Sequence, residues 1–251
     1  MKIRAATFNI QCGRNHAKRV NGEGAPVELD RVAEHIAKMD VDFCCINEIT
    51  DYIPGTTSEY GQQPAYLAQK LVWNYAFSKA ITVNMKEGGT RDYGIALLSK
   101  HPIRSFRRVP VTTLPEEREV KGPWEDRVLM IAEVEIDGKI VTVMNIHFGL
   151  MRLEIQRAAD TILAERAKIT GPVVLTGDFN ITPDDPDLKR VAAAFKDTAD
   201  ILPEAPLTIP SHKPEVKIDY IFTDENTETL AVEVPPEVVA DHLPIVATLE
   251  V

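Results

Sequence analysis

Apolar and polar positions along this chain follow two different periods, and the elements they predict first interleave and then pair. Residues 2–10 read as a strand. In residues 29–39 (LDRVAEHIAKM), Leu29, Val32, Ala33, Ile36 and Ala37 fall at helical spacing. Residues 41–46 are a short unbroken apolar run, as in a buried strand. Residues 64–72 read as a helix, 74–81 as extended chain, and 93–99 (YGIALLS) as a strand that stops at His101-Pro102. Residues 128–136 and 139–147 flank Asp137-Gly138, a strong hairpin signal between two β-rich runs. Residues 151–168 carry a long helical pattern that Gly171-Pro172 closes before the strand VVLT. Further strands are expected at 217–223, 230–234 and 245–249. This order predicts an α/β (α+β) chain with two sheets covered by helices. No repeat, low-complexity tract or composition shift marks a linker, so residues 1–251 are expected to form one domain.

Composition narrows the class. Hydrophobic residues make up 44% and charged residues 26% of the 251, close to an ordinary soluble protein. No apolar run approaches the roughly 20 residues of a membrane span. The opening MKIRAATFNIQCG has its short apolar stretch broken by Asn9 and Gln11, so it does not read as a signal peptide, and a cytoplasmic location is expected. The three cysteines, Cys12, Cys44 and Cys45, are odd in number, with two adjacent in an expected strand. That is neither a disulfide framework nor a zinc-ligand spacing, and it favours a reducing compartment. With 38 acidic residues against 28 basic ones the net charge is −10, so the basic footprint of a tight nucleic-acid binder is missing. An anionic substrate stays open, because a bound divalent cation inverts the local field.

Polar residues then recur where the apolar runs end. Asn9 lies late in the first strand, Glu48 follows FCCIN, and Asn145 and His147 close VTVMNIHFG. Asp178 and Asn180 close VVLTGDFN, Asp219 lies within VKIDYIF, and Asp241 and His242 precede LPIV. One such residue is ordinarily a cap or a turn. Recurrence at six strand ends, in residue types that serve hydrolases, calls for another explanation. On an extended chain residues i and i+2 point the same way, so Asp178 and Asn180 would set a carboxylate and an amide over one spot, able to hold a hard cation or an activated water.

The ordered motifs TFNI (7–10), INE (46–48), GIALLSKHPI (94–103), NIHFG (145–149), GDFN (177–180), IDYIF (218–222) and ADHLP (240–244) span nearly the whole chain. In this order they resemble the endonuclease/exonuclease/phosphatase superfamily, which contains DNase I, exonuclease III-type nucleases, neutral sphingomyelinases and inositol-polyphosphate 5-phosphatases. The resemblance implies a four-layer sandwich: two packed, mostly antiparallel sheets flanked by helices, with a site at one sheet edge. It also implies Mg²⁺ or Mn²⁺ held by Glu48, with Asn9 orienting Glu48 or a metal-bound water and Asp241 as a further ligand. Hard oxygen donors suit those cations. Asp178 is expected to orient and deprotonate the attacking water, and Asn180 to fix that water or a phosphate oxygen. His242, oriented by Asp219, is expected to contact the phosphate, and His147 to bind a phosphate oxygen or donate a proton.

The chain departs from parts of the family in ways that bear on substrate. Asn47 stands where many members have Gln, Gln11 where exonuclease III-type nucleases carry Asp, and His147 where they tend to have Tyr. The last two differences point away from abasic-site nucleases, towards the DNase I, sphingomyelinase and phosphatase branches. Arg91, expected with Asp92 in a Gly-rich loop (EGGTRDYG), and Arg127 and Asn145 are candidate substrate contacts. His16 and His212 lie in expected loops at the entrance, while His35 and His101 read as structural. The expected function is metal-dependent hydrolysis of a small or lipid-derived phosphate ester. A nuclease is the alternative, disfavoured by the acidic charge, and a noncatalytic binding module of the same fold is the remote one.

Overall fold

The computed structural model describes residues 1–52, 61–84 and 89–251. Two six-stranded sheets pack face to face. The first runs β11-β12-β1-β2-β4-β3, from β1 (Lys2–Asn9), β2 (Phe43–Tyr52), β3 (Asn74–Asn84), β4 (Thr90–Ser99), β11 (Glu228–Glu233) and β12 (Ile245–Glu250). The second runs β5-β6-β7-β8-β10-β9, from β5 (Ile103–Val111), β6 (Arg127–Ile136), β7 (Lys139–His147), β8 (Val173–Asp178), β9 (Lys196–Asp197) and β10 (Asp219–Thr223). The named pairings are antiparallel except for one parallel pair in each sheet, β1 with β2 and β7 with β8. A parallel pair needs a crossover, and a helix supplies each one. These are α2 (Leu29–Met39) between β1 and β2, and α4 (Arg152–Arg166) between β7 and β8.

Alternation along the strands sorts the side chains into three apolar layers. Ile3, Ala5, Phe43, Cys45 and Leu97 meet Val128, Met130, Val143, Val174 and Ile221 between the sheets. Phe8, Cys44, Ile46 and Leu98 face α2 and α3 (Gln63–Leu71) outside the first sheet. Leu129, Ile131, Met144 and Phe222 pack against Ile155, Ala158 and Ile162 of α4 outside the second. Cys44 and Cys45 thus fill opposite faces of one strand as free, buried thiols, and burial pushes Cys45 up to about 12. The expected hairpin turns at Asp137 and Gly138, with φ of 50° and 76°, the positive pair that a type I′ turn requires.

Three expectations are corrected. Strand β2 continues past residue 46 to Tyr52, because a bulge lets it resume pairing with β4 at Ile49. Arg91 and Asp92 lie in β4 and not in a loop, while Glu87 and Gly88 of the same stretch lie outside the described residues. Strand β5 (IRSFRRVPV) went unpredicted because it is an outermost, largely exposed strand without alternation, and it contains Pro110. Edge strands tolerate both the charges and the proline. Among the described residues no helix is long and apolar enough to cross a membrane.

Candidate active site

Strand register gathers the polar strand ends. Asn9 lies beside Asn47 across the parallel β1–β2 pair, His147 beside Asp178 across β7–β8, and Asp178 opposite Asp219 across β8–β10. The C-terminal ends of the two parallel pairs meet at the same rim of the sandwich. Two local distortions aim the side chains. Asn47 and Glu48 form the bulge of β2, with Glu48 at φ 53°, and Asn180 takes φ 53° just past β8. Bulges and left-handed non-glycine residues concentrate where a side chain must be redirected for function. Gly177 permits the close approach of β7, since a Cβ there would lie 1.9 Å from the Ile146 carbonyl oxygen.

Asn9 is the hinge between the sheets. Its Nδ2 donates to Glu48 Oε1 at 3.1 Å and to Asp178 Oδ2 at 2.9 Å, while its Oδ1 accepts from the Gln11 amide at 3.1 Å. Asn9 therefore holds the two carboxylates in place, and its oxygen is turned away from them. Asn47 repeats the device more deeply, donating to the Ile146 carbonyl at 2.9 Å and accepting from the Asp178 amide at 3.1 Å. Asn145, expected to contact substrate, is fully buried. Its Nδ2 donates to the Ile46 and Ala96 carbonyls, so it ties the two sheets together instead of facing the cleft.

A chain of ionisable groups runs through the site. Asp219 Oδ2 accepts from Thr208 Oγ1 at 2.6 Å and sits 2.8 Å from His242 Nδ1, and His242 Nε2 lies 3.7 Å from Asp178 Oδ2. Burial opposes charging His242, but the carboxylates of Asp219 and Asp178 outweigh it and raise its pKa to about 10. Burial pushes Asp178 up to about 7 against the pull of the His242 charge. Of the pair, His242 is the group that its carboxylate neighbours favour in the protonated form, and Asp178 is the carboxylate that burial raises, the direction that suits a general base. His147 behaves oppositely: burial first, then the Arg127 guanidinium, hold it well below the usual imidazole range. Its Nε2 lies 3.1 Å from Asn180 Nδ2 and its Nδ1 3.3 Å from Arg127, so the neutral ring has one lone pair for two donors. Arg127 is buried and ion-paired with Glu125.

Glu48 is raised by burial, opposed by the Asn9 hydrogen bond and reinforced by Asp241. Asp241 accepts from Gln11 Nε2 at 2.5 Å through Oδ2, while its buried Oδ1 has no partner among the described residues. Gln11, read from the sequence as a departure from the exonuclease III-type pattern, thus anchors Asp241. Ligand atoms of Asp178, Asp219 and His242 also lie within 4.8 Å of one another. His16 and His212 meet at the rim, Nε2 to Nδ1 at 3.1 Å, with His16 buried and His212 exposed. His35 and His101 are structural, against Phe8 and Asp42 respectively. Sequence reasoning missed Thr208, Gln11 as anchor, and Tyr93, which lines a small cavity with Arg127 and His147. None has a local signal, because each is brought in by loop or strand packing.

Comparison with known proteins agrees with this fold. No curated protein sequence matches the chain. An endonuclease/exonuclease/phosphatase structure from Beutenbergia cavernae shares 22% identity and a TM-score of 0.74, with 100% of this chain and 72% of that one covered. A mannosyl-6-phosphatase of Bacteroides thetaiotaomicron shares 15% identity and a TM-score of 0.73 over 99% of this chain and 100% of its own. The human Nocturnin catalytic domain with bound sulfate shares 15% identity and a TM-score of 0.71, covering 99% of this chain and 93% of that one. At such identities the likeness is one of fold, but residues 6–242 also match a family profile, and the chain belongs to the Endonuclease/Exonuclease/phosphatase family.

Proposed function

We propose that this chain is a divalent-metal-dependent hydrolase of small phosphate esters. The observation that carries the reading is the geometry of the cleft: His242 Nε2 lies 3.7 Å from Asp178 Oδ2 with its Nδ1 on Asp219, and Asn180 stands beside both Asp178 and His147. A noncatalytic module has no need to hold this many ionisable groups together. Asp178 takes a proton from the attacking water, whose position Asn180 fixes. His242, held by Asp219, presents its Nε2–H to a phosphate oxygen and stabilises the charge that builds there. His147, neutral, accepts or donates a hydrogen bond on the opposite wall.

The residues fit a hard cation. Glu48 and Asp241 supply carboxylate oxygens, burial leaves Glu48 short of compensating charge, and the orphaned Asp241 Oδ1 is a buried acceptor awaiting a partner. Such donors select Mg²⁺ or Mn²⁺ over softer metals. A bound divalent ion supplies Lewis-acid stabilisation of the phosphoryl oxygens and the leaving oxygen. The Asp219–His242 contact is a hydrogen bond, so that pair serves better as a proton-holding dyad than as ligands.

The net charge of −10 and a neighbour named as a mannosyl-6-phosphatase favour a small ester over nucleic acid. The test is hydrolysis of bis-(p-nitrophenyl) phosphate, p-nitrophenyl phosphate and supercoiled plasmid with Mg²⁺ or Mn²⁺, and with EDTA. EDTA-sensitive release from either small ester, with intact plasmid, is the expected result. Plasmid nicking with no release from either ester would replace this reading by a nuclease.

A further inference from the structure

We propose that Arg127 is a positioning residue: its guanidinium fixes His147 as the tautomer with a bare Nδ1 and a protonated Nε2, so that His147 donates its hydrogen bond to the substrate phosphate. The use of that donor rests on the hydrolase reading, whereas the tautomer rests on contacts within the chain alone. Strands β6 and β7 pair through Leu129 and Ile146, which sets Arg127 beside His147. The two residues share one small cavity with Tyr93, and Gly94 and apolar side chains make up the rest of its wall. Arg127 Nη1 stands 3.3 Å from His147 Nδ1 and also donates to Glu125 Oε1. Arg127 is 8% and His147 5% exposed, so neither group can turn to water instead.

A guanidinium has only donors and keeps its charge throughout the working pH range. The ring nitrogen facing it therefore has to be an acceptor. A proton on Nδ1 would set N–H against N–H, and protons on both nitrogens would bury a second cation beside the first. The other side of the ring makes the opposite demand. Asn180 Nδ2 donates one hydrogen to the Phe148 carbonyl at 3.0 Å and turns its second towards His147 Nε2 at 3.1 Å. The two claims on one lone pair are unequal. Arg127 is charged, buried and anchored by Glu125, whereas Asn180 is half-buried just past the end of β8. Charge-assisted hydrogen bonds are roughly twice as strong as neutral ones. Arg127 thus takes the lone pair, and the Nε2–H and the Asn180 amide are left as two donors converging on one point. Asp178 Oδ2, at 3.6 Å from Nε2, is too far to accept a hydrogen bond from it. A phosphate oxygen held beside Asp178 satisfies both donors. Without Arg127, Asn180 would decide the tautomer, and His147 would turn a lone pair on the phosphate.

The experiment is long-range nitrogen–proton correlation NMR of the imidazoles at neutral pH, which tells a bare ring nitrogen from a protonated one. The His147 signals are assigned by their loss in His147→Ala. The unmodified protein is expected to show His147 uncharged, with Nδ1 bare and Nε2 protonated. Arg127→Met, which removes both donor and charge, should move the proton to Nδ1, and Arg127→Lys should return it to Nε2. On p-nitrophenyl phosphate with Mg²⁺, Arg127→Met should lower kcat by about 10²-fold, as for the loss of one oxyanion donor, with little change in KM. Added to His147→Ala, it should cost no more than about 2-fold further, because two residues that act as a unit are not additive. Three results overturn the proposal: a protonated Nδ1 in the unmodified protein, a tautomer unmoved by Arg127→Met, or an undiminished Arg127→Met loss in the His147→Ala background. The last would make Arg127 a direct substrate contact. Circular dichroism checks each fold, and the spectrum of the unmodified protein decides the tautomer even where Arg127→Met does not fold. Absence of turnover with Nδ1 bare removes the hydrolase reading and keeps the tautomer; turnover with Nδ1 protonated does the reverse.

Discussion

Asp219→Asn isolates the charge that keeps His242 protonated. Asp219 is fully buried, and asparagine keeps its shape. The new Oδ1, in the place of the Asp219 Oδ2, can accept from both His242 Nδ1–H and Thr208 Oγ1–H, and the new amide takes the place of the Asp219 Oδ1, which has no partner among the described residues. The charge is lost while both hydrogen bonds to the side chain are kept. With atoms 2.8 Å apart the two charge centres are about 4 Å apart, worth about 4 kcal/mol at an effective dielectric of about 20. That is about three pKa units, which moves His242 from about 10 to about 7. The variant should then require His242 protonation within the assay range. Its kcat/KM on p-nitrophenyl phosphate with Mg²⁺ should peak near pH 7, where Asp178 is ionised and His242 still holds its proton, and fall through the His242 ionisation by about 10²–10⁴ at high pH relative to the parent. The parent should show no such fall below pH 9. Imidazole NMR of His242 through the same range gives the titration directly. A variant in which His242 stays protonated to pH 9, or whose activity loss is the same at every pH, would refute the role given to Asp219.

Three further outcomes follow from the fold. Gly177→Ala puts a Cβ 1.9 Å from the Ile146 carbonyl oxygen at φ 150°, so β7 and β8 must separate; a loss of about 3 kcal/mol or more is expected in urea unfolding. Val72, 90% exposed at φ 57°, is a β-branched residue in the left-handed position that ends α3. Val72→Gly should gain about 0.5–1 kcal/mol in thermal denaturation, the left-handed strain relieved less the added freedom of the unfolded chain. His35 is buried against Phe8, and burial holds its pKa below the unfolded value of 6.5 despite the attraction of Glu237. The unfolded chain therefore binds this proton first, and stability present above pH 6.5 is lost as pH falls towards the folded pKa. Urea midpoints at pH 7.5 and 5.5 should separate more in the parent than in His35→Gln.

Elements with a strong period were legible because local sequence and final burial agree: α2 (Leu29–Met39) and the Asp137-Gly138 hairpin are where the pattern put them. The strand-end residues Asn9, Glu48, His147, Asp178, Asn180, Asp219, Asp241 and His242 stood out because a polar group ending an apolar run is costly without a purpose. Strand β5 was illegible because an exposed edge strand obeys no burial period. Asn145 was misjudged for a related reason. In the sequence it looks like its site neighbours, and only the packing of β7 against β2 and β4 shows its amide hydrogens spent on the Ile46 and Ala96 carbonyls.

The sequence by itself determined the alternation of elements, the layers their apolar faces would form, and which residue types could do phosphoester chemistry. Tertiary structure alone decided how those residues divide the work. The Asn9 amide reaches Glu48 on its own sheet and Asp178 on the other, 39 and 169 positions away. The bulge at Glu48 answers to the pairing of β2 with β4. His242 keeps its proton because Asp219 and Asp178 arrive beside it from neighbouring strands. Periodicity reports which face a residue takes, whereas hydrogen bonding and charge compensation depend on distances that only the folded chain sets.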